Sequence, residues 1–180
     1  MTPLLIAMAG LPGTGKSTLA VALADVLSAV VLDKDKLRAG LIPPDRVEYT
    51  RAQDDYFYEL LLKAAEYNLN RGRHVILDGR TFTRRYQVDR VELFAQEHKV
   101  VFRIIECICP EELALKRLAA DLQAGSHPAA DRGAELYRRL KAEAEPIERE
   151  HLQLSTDQEI ETLVGLCLEY LGGDISEQGN

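Results

Sequence analysis

The chain alternates short apolar runs with longer stretches of helical character. Residues 3–9 are continuously apolar, as expected for a strand that is covered on both faces. Four more apolar runs follow at residues 29–32, 74–77, 100–107 and 152–154. The helical stretches between and after them are residues 16–29, 51–71, 84–97, 110–119, 134–149 and 157–171. This alternation predicts an α/β fold, a doubly wound five-stranded parallel sheet with helices on both faces.

Two segments depart from the alternation. Glycine, proline, serine and other small residues collect between residues 120 and 133, and they predict a loop or small lid over about residues 119–133. The polar residues 172–180 predict a frayed tail. The sequence contains no repeat and no interdomain linker, so we expect one domain over residues 1–180.

The charge balance argues against several classes of partner. The chain has 22 basic and 29 acidic residues and a formal net charge of −7, which gives no general attraction to nucleic acid or to an anionic membrane. Long polynucleotides are bound through many cationic contacts, whereas a short 5′-hydroxyl end needs few. The apolar start ends at Gly10, and the three cysteines are too few and odd in number for a disulfide framework. We therefore expect a soluble, cytoplasmic protein without a membrane partner.

The segment from Gly10 to Ser17 matches the pattern G-x-x-x-x-G-K-[ST] at every fixed position, between a predicted strand and a predicted helix. Glycines let successive backbone N–H groups turn inward around a phosphate, and the following helix adds its positive dipole end. The residues expected around the phosphates are Gly10, Gly13, Thr14, Gly15 and Lys16. Lys16 can reach the β- and γ-phosphates, and the Ser17 hydroxyl can ligate Mg²⁺. The motif predicts that the chain binds a nucleoside triphosphate.

The surrounding sequence narrows the class of nucleotide-binding protein. A GTPase would carry D-x-x-G and N-K-x-D motifs, and neither occurs. An ATP-driven motor usually ends its Walker B strand in Asp-Glu, whereas Asp78 is followed by Gly79. What remains is a phosphoryl-transfer enzyme of small-kinase size.

Charged residues after the second predicted strand are candidates for acceptor chemistry. Asp35 can accept a proton from the acceptor, and Arg38 can hold a substrate phosphate or carboxylate. The carboxyl ends of strands face the ligand crevice in such sheets. The alternative interpretation is an exposed charge cluster at the start of a helix.

Asp78 ends the third predicted strand, which should neighbour the first, and it can hold a Mg²⁺-bound water. A turn aspartate in Asp-Gly is the alternative. After it, Arg80, Arg84 and Arg85 can line an acceptor pocket, although arginines in such a run are often only solvated. Arg117, just before the predicted lid, can stack on adenine or touch the transferring phosphate.

Three motifs together resemble a known family. Residues 10–18, the D-x-D-x-x-R segment at 33–38 and Leu-Asp-Gly-Arg at 77–80 look like the zeta-toxin/polynucleotide-kinase branch of P-loop kinases, predicted kinases with AAA-type ATP binding. The resemblance runs from about residue 4 to about residue 157. It implies a nucleoside-monophosphate-kinase-like P-loop NTPase fold with a small lid, and the use of ATP and Mg²⁺.

The resemblance also implies roles for individual residues. Asp35 matches the general base, Arg38 an acceptor-phosphate ligand, Asp78 the acidic end of the third strand, and Arg117 the first lid arginine. Thr18 falls within the family's phosphate loop, and Thr156 within the stretch that meets adenine. A second lid arginine, which the family often has three positions after the first, is absent around Asp121.

These observations predict an ATP-dependent phosphotransferase with an alcohol group as acceptor. The acceptor is a small molecule, a nucleotide or a 5′-hydroxyl nucleic-acid end. Two alternatives stay open at this point. One is a nucleotide-binding regulatory module with weak or no transfer, suggested by the departure in the lid, and the other is a toxin-like kinase of sugar nucleotides.

Overall fold

The computed structural model describes residues 2–124 and 133–176. Its five strands are β1 (Leu4–Ala9), β2 (Val30–Asp33), β3 (Val75–Asp78), β4 (Val101–Ile108) and β5 (Leu152–Ser155). Its helices are α1 (Lys16–Leu27), α2 (Lys34–Leu41), α3 (Arg51–Leu69), α4 (Arg85–His98), α5 (Glu111–Ala124), α6 (Ala134–Glu143) and α7 (Ile160–Ser176). A short 3₁₀ turn, Pro44–Arg46, lies between α2 and α3.

All five strands run parallel in one sheet, in the order β2-β3-β1-β4-β5. Strand β1 lies at the centre, where Ile6 pairs with Ile76 on one side and with Arg103 on the other. The order confirms the predicted sheet and the predicted adjacency of β3 to β1. Because the strand order reverses at β1, a ligand crevice is expected at its carboxyl end.

The side chains of β1 explain why helices cover both faces. Leu5, Ala7 and Ala9 pack into a cluster with α3 and α4, whereas Leu4, Ile6 and Met8 pack into a second cluster with α1 and α7. Successive side chains of a strand point to opposite faces, so a continuously apolar strand requires an apolar layer on each side.

The predicted lid begins too early. Residues 119–124 complete α5 instead of forming a loop. Their sequence, Ala-Ala-Asp-Leu-Gln-Ala, contains mostly good helix formers and no glycine or proline, so the helix continues to Ala124. Residues 125–132 of the predicted lid lie outside the described residues.

The last two helices also differ from their predicted limits. Helix α6 ends at Glu143, three residues before Pro146, in keeping with the restricted backbone that precedes a proline. Helix α7 begins at Ile160 instead of Asp157 and continues to Ser176, so residues 172–176 are helical instead of frayed. The buried Leu171 anchors this last part against the sheet. Residues 177–180 lie outside the described residues.

Over residues 2–124 and 133–176, no helix is long and apolar enough to span a bilayer.

Candidate active site around the phosphate loop

The segment between β1 and α1 is a tight loop that only glycine can form at three positions. Gly10, Gly13 and Gly15 have φ values of 125°, 76° and 83°, in the region that L side chains rarely adopt. A Cβ atom on Gly13 would lie 2.6 Å from the carbonyl oxygen of Ala114 on α5. The loop therefore packs directly on the backbone of α5.

The Lys16 side chain folds over this loop. Its Nζ donates hydrogen bonds of 2.8 Å to the carbonyl oxygens of Gly10 and Leu11, and the residue is 6% exposed. The Thr14 hydroxyl donates to the same Leu11 carbonyl at 2.8 Å. These bonds fix the loop's shape and hold the ammonium against its carbonyl oxygens.

A cavity of about 520 Å³ opens on the α5 side of the loop, and we call it the α5-side cavity. The predicted residues that line it are Gly13, Gly15, Lys16, Ser17, Thr18, Arg117 and Thr156. Gly10 and Thr14 shape the loop without lining this cavity. The structure thus brings most of the predicted nucleotide-binding residues to one space.

Arg117 and Thr156 form a bridge across this cavity. The Arg117 guanidinium donates to the Thr156 hydroxyl at 3.1 Å and to its carbonyl oxygen at 2.7 Å. The same hydroxyl donates to the carbonyl oxygen of Thr14 at 2.7 Å. The bridge joins α5, the segment after β5 and the phosphate loop, and it places a cation near the loop.

A second cavity, of about 320 Å³, lies on the other side of the loop, and we call it the α2-side cavity. Asp35 and Arg38 both line it and are only 3% and 6% exposed. The Arg38 guanidinium donates to the Asp35 carboxylate at 2.6 Å. This buried ion pair fixes the carboxylate's orientation.

Asp33 has a different role from its neighbour. It is the N-cap of α2, and its carboxylate accepts from the amides of Asp35 and Lys36 at 2.8 and 3.2 Å. The helix-start interpretation of the charge cluster therefore describes Asp33. It does not describe Asp35, which is buried in the cavity wall.

Asp54 on α3 is a residue of this cavity that the sequence analysis missed. Its carboxylate accepts two hydrogen bonds from Arg80, at 2.8 and 3.1 Å, and also pairs with Lys34. Burial raises the pKa of Asp54, but the charges of Lys34 and Arg80 outweigh it and the net pKa is lowered. The only sequence signal was an acidic residue in a first helical turn, which the helix dipole already explains.

Of the three predicted arginines, two reach the α2-side cavity. Arg80 is 4% exposed, bonds to Asp54 and Asp55, and places its guanidinium 4.2 Å from the Tyr58 ring centroid. Arg84 also lines the cavity. Arg85 does not: it bonds to Glu148 in a separate groove, because it is the first residue of α4 and points away from its neighbour.

Asp78 lies at the end of β3, next to the strand that carries the phosphate loop. It is 2% exposed, and within the described part of the chain its Oδ1 atom has no hydrogen-bond partner. A buried carboxylate oxygen without a partner requires a cation or a water. Mg²⁺ prefers hard oxygen ligands, so the Asp78 carboxylate suits such an ion. The other predicted ligand, Ser17, lines the α5-side cavity, whereas Asp78 lines neither of the two cavities.

Solved structures with a similar fold cover nearly the whole chain. A provisionally assigned kinase from Chloroflexus aurantiacus has a TM-score of 0.75 at 22% identity, over 96% of this chain and 97% of that one. The APS kinase CysC of Mycobacterium tuberculosis, in complex with AMPPNP and APS, has a TM-score of 0.73 at 19% identity, over 95% and 98%. A gluconokinase from Sinorhizobium meliloti has a TM-score of 0.68 at 17% identity, over 99% of both chains. These likenesses show the fold.

No curated protein matches the chain. The model of one protein family, AAA_33, described as an AAA domain, matches residues 5–147. That range contains the phosphate loop, the α2-side cavity and Arg117. The glycine-rich loop after the central strand, the parallel five-stranded sheet and this match agree, and the chain belongs to the AAA_33 family of P-loop NTPases.

Proposed function

We propose that the protein is an ATP-dependent kinase that transfers the γ-phosphate to a hydroxyl group of a small acceptor, which is a metabolite, a nucleotide or a short 5′-hydroxyl nucleic-acid end. One observation carries the proposal: the phosphate loop separates two cavities. Pro12 lines the α2-side cavity, and the next residue, Gly13, lines the α5-side cavity. A hydrolase needs room for a nucleotide and water, whereas a transferase must hold a second substrate beside the γ-phosphate.

The nucleotide binds in the α5-side cavity in this proposal. The backbone N–H groups of the loop from Gly13 to Ser17 and the N-terminus of α1 cradle the phosphates. Lys16 neutralises charge on the β- and γ-phosphates, and Arg117 stabilises charge that develops during transfer. Thr156 holds Arg117 in position, and Thr18 lines the same cavity.

Ser17 and Asp78 are the proposed ligands for Mg²⁺, with Asp78 acting directly or through a bound water. A Mg²⁺ ion held by these two residues would supply positive charge that neutralises the phosphates of the nucleotide. Asp78 is suited to this role because its Oδ1 is buried and carries no hydrogen bond from the described residues.

The acceptor binds in the α2-side cavity, where Asp35 orients or deprotonates its hydroxyl group. Arg38 holds the Asp35 carboxylate in place, and a guanidinium has enough donors to contact an acceptor as well. Arg80 shapes the same wall through its bonds to Asp54 and Asp55.

The comparisons support a small acceptor. The similar folds include an APS kinase, a gluconokinase and a sugar kinase from Janibacter. The finer resemblance to the zeta-toxin/polynucleotide-kinase branch rests on the sequence motifs at residues 10–18, 33–38 and 77–80. The net charge of −7 favours small molecules over long polynucleotides.

The test is transfer of labelled γ-phosphate from ATP, with Mg²⁺, to a panel of acceptors. The panel holds nucleosides, nucleotides, sugars, sugar nucleotides, sugar acids and a 5′-hydroxyl oligonucleotide. We expect label on one acceptor class, and a loss of at least about 100-fold in Asp35→Asn with ATP binding retained, which is the usual contribution of a general base. Lys16→Ala should lose transfer through weaker phosphate contacts.

The matched control is Asp45→Asn, since Asp45 is an exposed carboxylate on the 3₁₀ turn that lines neither cavity. It should transfer at the wild-type rate. Undiminished transfer in Asp35→Asn would exclude Asp35 as the base, but it would still support kinase activity. Tight ATP binding without label on any acceptor would instead favour a regulatory module.

A further inference from the structure

The α2-side cavity is lined by more basic than acidic side chains, in a chain that is acidic overall. Six basic side chains line it: Lys34, Arg38, Arg51, Arg80, Arg84 and Arg139. Only three carboxylates share the lining: Asp35, Asp54 and Glu143. Two carboxylates outside the lining, Asp55 and Glu145, also pair with these cations, and positive charge stays in excess here although the chain has a net charge of −7.

Four of the six basic side chains are engaged by carboxylates of the protein. The pairs are Arg38 with Asp35, Lys34 with Asp54, Arg80 with Asp54 and Asp55, and Arg84 with Glu143 and Glu145. Each pair holds a wall of the cavity in shape. These four cations are therefore largely neutralised before any ligand arrives.

The other two basic residues, Arg51 and Arg139, differ from these four in their ion pairing. Neither has a carboxylate partner within residues 2–124 and 133–176, and both are exposed at the cavity. Arg51 begins α3 and Arg139 lies on α6, so they reach the cavity from two separate elements. The neighbouring Arg138 does not line the cavity, and its guanidinium lies 3.7 Å from the Glu111 carboxylate.

We propose that the acceptor carries an anionic group, a phosphate or a carboxylate, in addition to its reacting hydroxyl, and that Arg51 and Arg139 bind this group. The proposal rests on the proposed function, and it names the acceptor's chemical class. A neutral acceptor would remove water from two guanidinium groups without replacing their hydrogen bonds, which costs free energy. A phosphate or carboxylate replaces those bonds with charge-assisted ones in the geometry that arginine favours.

The volume of the cavity limits the size of this acceptor. About 320 Å³ lies at the small end of ligand pockets, which run from about 300 to 1,000 Å³. A sugar phosphate or a sugar acid is of this scale. Arg51 and Arg139 therefore act as specificity residues, while Asp35 meets the hydroxyl group.

The experiment measures binding to the full chain by calorimetry, with the phosphate loop saturated by Mg²⁺ and AMPPNP so that anions cannot bind there. Two pairs of open-chain probes differ only at one terminal carbon, which carries the anionic group in one member: ribitol against ribitol 5-phosphate, and glucitol against gluconate. We expect saturable binding of at least one anionic member, at least about tenfold tighter than its neutral partner. The two pairs distinguish a phosphate from a carboxylate.

Arg51→Gln and Arg139→Gln should each weaken binding of the anionic member about tenfold and leave the neutral member unchanged. Arg138→Gln and Arg46→Gln are the matched controls: the first is on the same helix, the second near α3, and neither lines the cavity. Both should bind like the wild type.

Equal binding of neutral and anionic members, unchanged binding in the Arg51→Gln, Arg139→Gln double variant, or no saturable binding of either anion would overturn the proposal. Because no phosphate is transferred in this experiment, its result does not depend on the kinase assay. Transfer to a neutral acceptor in the kinase assay would refute only the proposal that the acceptor is anionic. Binding of an anion without transfer to any acceptor would refute only the proposal that the protein is a kinase.

Discussion

Single carboxylates at the centre of the molecule differ sharply in their surroundings. Asp54 is held by Lys34 and Arg80, whereas the Oδ1 atom of Asp78 has no hydrogen-bond partner in the part of the chain the structure describes. In the first arrangement both partners neutralise the charge, so removal of the Asp54 carboxylate would leave two cations without this partner. The second leaves capacity for a ligand and is the arrangement expected of a functional carboxylate.

The Asp54 cluster makes stability depend on pH. The pKa of Asp54 is lowered below its usual 3.8, so its contribution is fully present above that pH and is lost as the pH falls through the lowered value. Asp54→Asn should reduce the free energy of unfolding by about 2 kcal/mol at neutral pH, less than for a fully buried pair because the carboxylate is partly exposed. Urea unfolding at a series of pH values measures this.

The difference in stability between the variant and the wild type should shrink as the pH falls below 3.8 and through the lowered pKa of Asp54, because the wild-type carboxylate then becomes protonated too. Asp45→Asn, which changes an exposed pair, should stay within about 0.5 kcal/mol of the wild type throughout. A constant difference between Asp54→Asn and the wild type from neutral to acid pH would show that the ion pairs are not its source.

The sequence pointed to some of these residues and not to others for a physical reason. Asp35 and Asp78 could be proposed because each lies at or just after the carboxyl end of a strand, and such ends share one edge of a parallel sheet. Asp54, Arg51 and Arg139 lie on helices, where a charged residue is most often solvated. Their contacts depend on how α3 and α6 lie over the sheet, which helical periodicity does not specify.

Among the elements of the fold, the phosphate loop connects β1 to α1 and packs directly against α5. Gly13 lies against the Ala114 carbonyl on α5, and Arg117 of α5 bonds to Thr156, which bonds to the loop. The loop cannot change shape without moving α5. A substitution that disturbs this contact should therefore change both nucleotide binding and the stability of the protein.

Two Gly→Ala substitutions separate a packed loop glycine from an ordinary one. Gly13→Ala places a methyl group 2.6 Å from the Ala114 oxygen at a φ of 76°, so it should cost at least about 1–2 kcal/mol of stability and weaken ATP binding. Gly165→Ala, within α7, meets no atom within 4 Å and should stabilise by about 0.5–1 kcal/mol with ATP binding unchanged. Thermal unfolding with and without Mg·ATP measures both effects. Equal unfolding temperatures of the two variants, with and without Mg·ATP, would refute the proposed packing of the loop against α5.

The strands were the most predictable elements. Each predicted strand lies within one residue of the observed one, since apolar runs bounded by charged or glycine residues leave little ambiguity. The ends of α5 and α7 were predicted poorly, because composition at Ala120 and Gly172 suggested a break that local helix propensity and the burial of Leu171 override. Helix α2 was foreseen only as one of two interpretations of the charged residues after β2.

At the scale of the whole molecule, the doubly wound sheet brings the phosphate loop, Asp35 and Asp78 to one edge. The order β2-β3-β1-β4-β5 places the two acidic strand ends on the same side of β1, and Asp33 and Asp78 are register partners there. Two cavities then flank the loop from opposite sides. The fold is shared with enzymes of several acceptor types, so the acceptor has to be inferred from the side chains of the second cavity.

The most direct test of this account is the fate of the γ-phosphate, followed with labelled ATP in the presence and absence of the acceptor found in the panel. We predict slow release of inorganic phosphate without acceptor, and with acceptor a faster consumption of ATP in which each ATP consumed places one labelled phosphate on the acceptor. Release of the label as inorganic phosphate, at a rate that no acceptor changes, would show that no acceptor in the α2-side cavity receives the phosphate. That result would contradict the account.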